Sequence, residues 1–145
     1  MKSKLITVLI VDAQGGGLGR QLILEIKKRF AQAEVLAVGT NAAATAAMLK
    51  SGADAAATGE NAVTVACRRA DFIIGPVGIV IADAMLGEIT PTMARAVAQA
   101  NARRILIPFS NCYNYIAGVS DFSATRLVED ALNELKKQVT EREEL

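Results

Sequence analysis

Asp12-Ala13-Gln14-Gly15-Gly16-Gly17-Leu18-Gly19 is the stretch whose reading decides the fold of this chain. It follows the apolar run Leu5 to Val11 and precedes a helical pattern that starts near Gly17. Strand, glycine-rich turn and helix, in that order, set backbone N–H groups at a helix N-terminus, where hydrogen bonding and the helix dipole both favour an anion. Asp12, Gln14, Gly15, Gly16, Gly17 and Gly19 are therefore candidate cofactor-binding residues. The competing reading is a tight structural turn, with Asp12 bonding the N–H groups that follow it.

Working outward, residues 4–12 form a near-continuous β-branched run without alternation, which predicts a buried parallel strand. In the helix that follows, from Gly17 to Phe30, the residues Leu22, Ile23, Ile26 and Phe30 share one face. Gly19 falls on the same side, where a missing side chain lets helix and strand approach closely. A second strand at Val35–Val38 leads through Gly39-Thr40-Asn41 to an alanine-rich helix, Ala42 to Lys50, capped by Thr40 or Asn41 and stopped by Gly52. Asp54–Thr58 reads as a short third strand, followed by a helix to about Arg69.

Asp71–Gly75 reads as a fourth strand, broken by Gly75-Pro76-Val77-Gly78. Ile79 to Leu86 is expected to be a short helix, and Thr90-Pro91 a strong start for another that reaches Asn101. Arg103–Phe109 is the fifth strand. Tyr115–Val119 is expected as a sixth, antiparallel, because the turn around Ser110-Asn111-Cys112 is too short for a helical crossover. The last helix begins near Ser123, and Glu141–Leu145 is expected to fray. This βα alternation predicts one domain over residues 1–145: an α/β, doubly wound sheet of about five parallel strands plus one antiparallel strand, with helices on both faces.

In such a sheet ligands bind at the carboxyl ends of the strands, where the winding reverses. Thr40, Asn41, Gly75 and Gly78 join the glycine loop on that edge, and the crevice is expected between the first and fourth strands. The dinucleotide fingerprint is incomplete. Placing Gly16 and Gly19 on the last two glycines of G-x-G-x-x-G leaves Gln14 at the first, and Thr40 and Asn41 stand where an acidic residue would hold a ribose hydroxyl. No Gly-Lys-Ser/Thr follows, so the P-loop reading fails.

Histidine is absent from all 145 residues, which removes Ser-His and Cys-His nucleophile pairs and histidine metal sites. Catalysis, if any, falls to carboxylates, Lys, Tyr, Cys or a bound cofactor, with Asp83, Glu88 and Glu60 as candidates and Asp12 beside them for proton work or a divalent cation; no metal set is expected. Asp83 stands inside an apolar segment, where the alternative is a solvated helix face; for Glu60 the alternative is the first turn of a helix, where Glu suits the dipole. Cys67 reads as a core residue. Cys112, Tyr113 and Tyr115 have no assigned role beyond covering the sheet edge or a subunit contact, with Cys112 a remote candidate for a reactive thiol.

A net charge of +1 argues against nucleic acid as partner, and no apolar run reaches membrane-spanning length. Two cysteines without metal spacing fit a reducing, cytoplasmic compartment.

The combination Asp12-x-Gln14-Gly15-Gly16-Gly17-x-Gly19, Gly39-Thr40-Asn41, Met48-Leu49, Gly52-Ala53-Asp54 and Thr58-Gly59-Glu60-Asn61-Ala62 resembles a family of short uncharacterised bacterial proteins. Gly75-Pro76-x-Gly78-Ile79-Val80 and Met85-Leu86-Gly87-Glu88-Ile89-Thr90-Pro91 are similar to the same family, with Ala13 where that family is expected to carry glycine. At fold level the chain also resembles the wider NAD(P)-binding, Rossmann-like group. The resemblance supplies no activity.

Three functions follow in order: a binding protein for a nucleotide (NAD(P) included) or other phosphorylated metabolite; a small enzyme with cofactor-borne or carboxylate acid/base chemistry at the same site; and a structural module without a ligand. A homodimer or higher homo-oligomer is expected, with the alanine-rich helix as one contact.

Overall fold

A computed structural model describes residues 5–108, 114–119 and 123–143. Five strands form one sheet: β1 (Thr7–Asp12), β2 (Glu34–Gly39), β3 (Ala55–Thr58), β4 (Phe72–Pro76) and β5 (Arg103–Ile107). Their order is β3-β2-β1-β4-β5 and every pairing is parallel. The helices are α1 (Gly17–Arg29), α2 (Ala42–Lys50), α3 (Glu60–Arg69), α4 (Pro91–Gln99) and α5 (Ala124–Glu143), with a 3-10 turn at Val77–Val80. No helix among the described residues is long and apolar enough to cross a membrane.

The three inner strands, β2, β1 and β4, are buried on both faces, which is why their sequences lack alternation. On one face Val8, Ile10, Val35, Ala37, Phe72 and Ile74 pack against α1, α2 and α5 through Leu22, Ile23, Ile26, Met48, Leu132 and Leu135. On the other, Leu9, Val11, Leu36, Val38 and Ile73 meet α3 and α4 through Val63, Ala66, Cys67, Met93 and Val97. Burial pushes the Cys67 thiol up to about 11, against a smaller pull from Arg104, so this sulfur is an inert core group. Side-chain caps start two helices where the sequence offers them. Asn41 accepts from the Ala44 amide at 2.9 Å, and the Thr90 hydroxyl accepts from Met93 at 3.1 Å.

Chain order reverses at β1, which lies between β2 and β4. The β1–β2 ladder continues to Asp12↔Gly39, whereas the β1–β4 ladder ends at Ile10↔Ile74. The ladder therefore stops short at the carboxyl edge between β1 and β4, at the expected switch point. Gly75 is what allows the two chains to stay close there: a Cβ on it would lie 2.4 Å from the Val11 carbonyl oxygen.

Three expectations are corrected. No strand forms at 115–119: Ala117 and Gly118 make a turn with Gly118 at φ +87°, and Val119 N–H donates back to Ile116. A local bond of that kind replaces the ladder an antiparallel strand needs, and Tyr115 stands 86% exposed. The turn at Ser110–Cys112, together with Phe109 and Tyr113, lies outside the described residues. Ile79–Leu86 is not a helix. After the 3-10 turn the chain coils through Asp83, Met85 and Leu86, all with φ between 57° and 65°. Finally, α5 continues through 141–143, where Arg142 Nη2 donates to Asp71 Oδ1 at 3.0 Å; residues 144–145 of the expected frayed end lie outside the described residues.

Gly75→Ala should destabilise the fold by about 1–3 kcal/mol, because backbone must yield to the new methyl. Gly17→Ala, whose methyl meets open space, should be neutral or stabilising. Urea denaturation midpoints at neutral pH compare the two; equal midpoints would contradict the close approach at Gly75.

Candidate functional site

The site is built on the β1–α1 junction. Gly16 takes φ +74° and its Cα lies against the backbone of Ala44 in α2, so the turn needs glycine twice over, for conformation and for space. Asp12, the last residue of β1, is 5% exposed. Its Oδ1 accepts from Ala13 N–H at 2.8 Å and its Oδ2 from Gly19 N–H at 2.7 Å. The second bond satisfies an amide of the first turn of α1 from outside the helix. Gly19 makes that possible: a Cβ there would fall 3.1 Å from Asp12 Cβ and 2.6 Å from Met48 Sδ. Burial raises the Asp12 carboxyl above its ordinary range, the two amide bonds act against that rise, and the Glu88 charge adds to it.

Glu88 arrives from the far end of the coiled segment after β4. Its Oε1 accepts from Thr40 Oγ1 at 2.6 Å, Asn41 Nδ2 at 2.9 Å and Gln14 N–H at 2.9 Å. Asn41 Nδ2 also donates to the Gln14 carbonyl at 3.0 Å. The Gln14 peptides are thus gripped on both sides, which offsets the cost of its left-handed backbone, φ +52°. The Thr40 hydroxyl is the main reason the Glu88 carboxyl lies below the ordinary range, with burial opposing and the Gln14 and Asn41 bonds assisting.

A cavity of about 340 Å³ opens beside this junction, lined by Asp12–Leu18, Gln21, Pro76, Met85 and Ala124. Of the loop amides, those of Ala13, Gln14 and Gly19 are held by carboxylates, and Gly16 N–H donates to the Ala13 carbonyl. The amides of Gly15, Gly17 and Leu18 have no partner among the described residues. They are the donors left for an anion. Among the described residues no lysine or arginine lines the cavity, so their contribution to holding negative charge there is the amides and the α1 dipole.

Expected site residues divide accordingly. Asp12, Gln14, Gly15, Gly16 and Gly17 line the cavity, and Gly19 lies beneath it. Thr40 and Asn41 are tied to the loop through Glu88 on the β2 side. Gly75 and Gly78 are buried, and a Cβ on Gly78 would strike Met85 Cε at 2.6 Å; Pro76 and Met85 supply that wall instead. Asp83 is solvent-exposed. Glu60 accepts from Thr90 Oγ1 at 2.7 Å, between α3 and α4. None of Asp83, Glu88 and Glu60 lines the cavity. Among the described residues no group of three or more acidic or cysteine side chains could hold a metal. Gln21, Met85 and Ala124 were not foreseen. Gln21 was legible as one turn beyond Gly17, but nothing local marks the other two.

The model described as Domain of unknown function (DUF3842) matches residues 7–140. The chain belongs to that family. The match spans every strand, from the start of β1 into the last helix, so the candidate site lies within the DUF3842 domain. Among curated proteins, none matches this chain.

The two carboxylates bend the pH dependence of stability in opposite senses. Glu88, with its pKa lowered, contributes stability above the ordinary glutamate value and loses it as pH falls through the lowered one. Asp12, with its pKa raised, contributes below the ordinary aspartate value and loses that share as pH rises through the raised one. Glu88→Gln should therefore lower the urea midpoint at neutral pH and flatten its fall towards about pH 3. An unchanged acid limb in the variant would contradict the three-donor contact.

Proposed function

We propose that this protein binds a phosphorylated small molecule, a nucleotide or other phosphometabolite, at the Rossmann-like β1–α1 loop. One observation carries the reading: Gly15, Gly17 and Leu18, whose amides have no partner among the described residues, line a cavity of about 340 Å³ at the strand-order switch point. Parallel α/β sheets bind ligands at that edge, and the first turn of α1 supplies donors and a positive dipole end. The volume is at the lower end of the range for small-molecule pockets, about 300–1,000 Å³. The enzymatic alternative, with Asp12, Glu60, Asp83 or Glu88 as its carboxylates, draws less support: three of them lie outside the cavity, and both oxygens of Asp12, which lines it, accept from backbone amides.

Thermal denaturation with ribose 5-phosphate, AMP and NAD tests the proposal. At least one should raise the midpoint in a concentration-dependent way. Gly17→Asp should abolish that shift. The carboxylate enters open space, suits the helix N-terminus by about 0.3–1 kcal/mol, and repels an anion. A ligand shift that survives in a folded Gly17→Asp protein would move the site elsewhere.

A homodimer or higher homo-oligomer is part of the same proposal. The edge strand β3, Ala-Ala-Ala-Thr, is largely exposed and carries no proline, charge or bulge to protect it, and Leu49 and Val65 are exposed on the helices beside it. Light scattering after size exclusion should give a mass of at least two chains, reduced by Ala57→Lys; a monomeric wild-type protein would dismiss it.

A further inference from the structure

In a doubly wound sheet the crevice has two halves. One lies between β1 and the strand that follows the reversal, here β4. The other runs over the tip of β2, where a nucleoside sugar is held when a dinucleotide binds. The first half is the open cavity of this protein. The second half is shut.

What shuts it is Glu88. Thr40 Oγ1, Asn41 Nδ2 and Gln14 N–H, the donors at the tips of β2 and β1, all converge on its Oε1 at 2.6–2.9 Å. A nucleoside reaching over β2 would have to take those donors from a carboxylate that already bonds them, whereas a sugar phosphate small enough to stay in the first half needs none of them. The Glu88 backbone is not free to withdraw easily. Its segment is laced by Asp83 N–H to Ile89 O at 2.7 Å, Ile89 N–H to Ala84 O at 3.2 Å and Glu88 N–H to Met85 O at 3.1 Å. Ile89 is fully buried beside it, and Met85 packs on Gly78. Three left-handed non-glycine residues in this short coil mark a conformation imposed by its contacts. Leu86, 98% exposed at its tip, contributes nothing to holding it.

We infer that Glu88 is a specificity-determining residue: by occupying the Thr40–Asn41 edge it restricts the site to compact phosphorylated metabolites of sugar-phosphate size and rejects nucleotides and dinucleotides. Rejection by a preplaced carboxylate needs no clash with the compact ligand, whose phosphate would lie on the other side of Gln14. The inference rests on the proposed binding site and selects one ligand class from the two that reading admits.

The test compares ribose 5-phosphate, AMP and NAD on wild-type protein and on Glu88→Ala by calorimetry. Wild type should bind ribose 5-phosphate and bind AMP and NAD at least about tenfold more weakly. Glu88→Ala should bind AMP or NAD at least about tenfold better than wild type, with ribose 5-phosphate within about threefold of its wild-type affinity. If Glu88→Ala does not fold, Glu88→Ser is read by the same criteria. An ¹⁵N spectrum of the wild-type protein gives a measurement that needs no variant: saturating ribose 5-phosphate should move the amides of Gly15, Gly17 and Leu18 and leave those of Thr40 and Asn41 in place. Nucleotide binding to wild type as tight as sugar-phosphate binding, and abolished by Gly17→Asp, overturns the inference and leaves the site standing. Weaker nucleotide binding in Glu88→Ala overturns it too, and makes Glu88 a ribose reader. If no probe binds either protein, the site and the inference fall together.

Discussion

A buried aspartate braces the molecule at the point where its first strand becomes its first helix. Asp12 has almost no solvent to stabilise its charge, so the two amides it accepts from must do so. One belongs to the adjoining residue and the other to the first turn of α1. The carboxylate thereby fixes the angle at which α1 leaves the sheet and brings Gly19 against Met48 of α2. Every other feature of the carboxyl edge is measured from that junction: the left-handed Gly16 against Ala44, the strained Gln14, and the amides of Gly15, Gly17 and Leu18 that remain unpaired.

The same brace limits what the site can be. A helix N-terminus over a glycine loop attracts anions, yet here the protein has already placed two carboxylates around it. Asp12 holds one first-turn amide from below, and Glu88 holds Gln14 from the β2 side. The attraction that remains is local and directed by three amides, with no basic side chain among the described residues on the cavity wall. Such a site is chemically suited to a small anionic group held by directional bonds. It lacks the charge for long-range capture.

Much of the architecture was legible because its signals are local. The apolar run before Asp12, the helical periods of α1 and α5, the Asn41 and Thr90 caps and the glycine after Lys50 each act within a few residues, and each produced the element they announce. Errors arose where a local pattern was outvoted. Tyr115–Val119 is apolar enough for a strand, but Gly118 turns the chain back before a ladder can form. Ile79–Leu86 is apolar enough for a helix, but its amides and carbonyls bond across the coil, Asp83 to Ile89 and Ala84 to Ile81. The segment serves to deliver Ile89 to the core and Glu88 to the loops, and neither task is written in its hydrophobic period.

By itself, then, the sequence determined a parallel α/β sheet, its reversal at β1, and the edge on which a ligand would sit. Periodicity, turn residues and the rule that crossovers are right-handed depend only on neighbours along the chain and on backbone chirality. Tertiary structure alone decided which amides of the glycine loop stay free and which half of the crevice stays open. Those depend on Asp12 reaching Gly19 across the turn and on Glu88 meeting Gln14 and Thr40 from 74 and 48 residues away. Contacts at such separation are set by how the packed elements bring the side chains together, and no spacing in the chain encodes them.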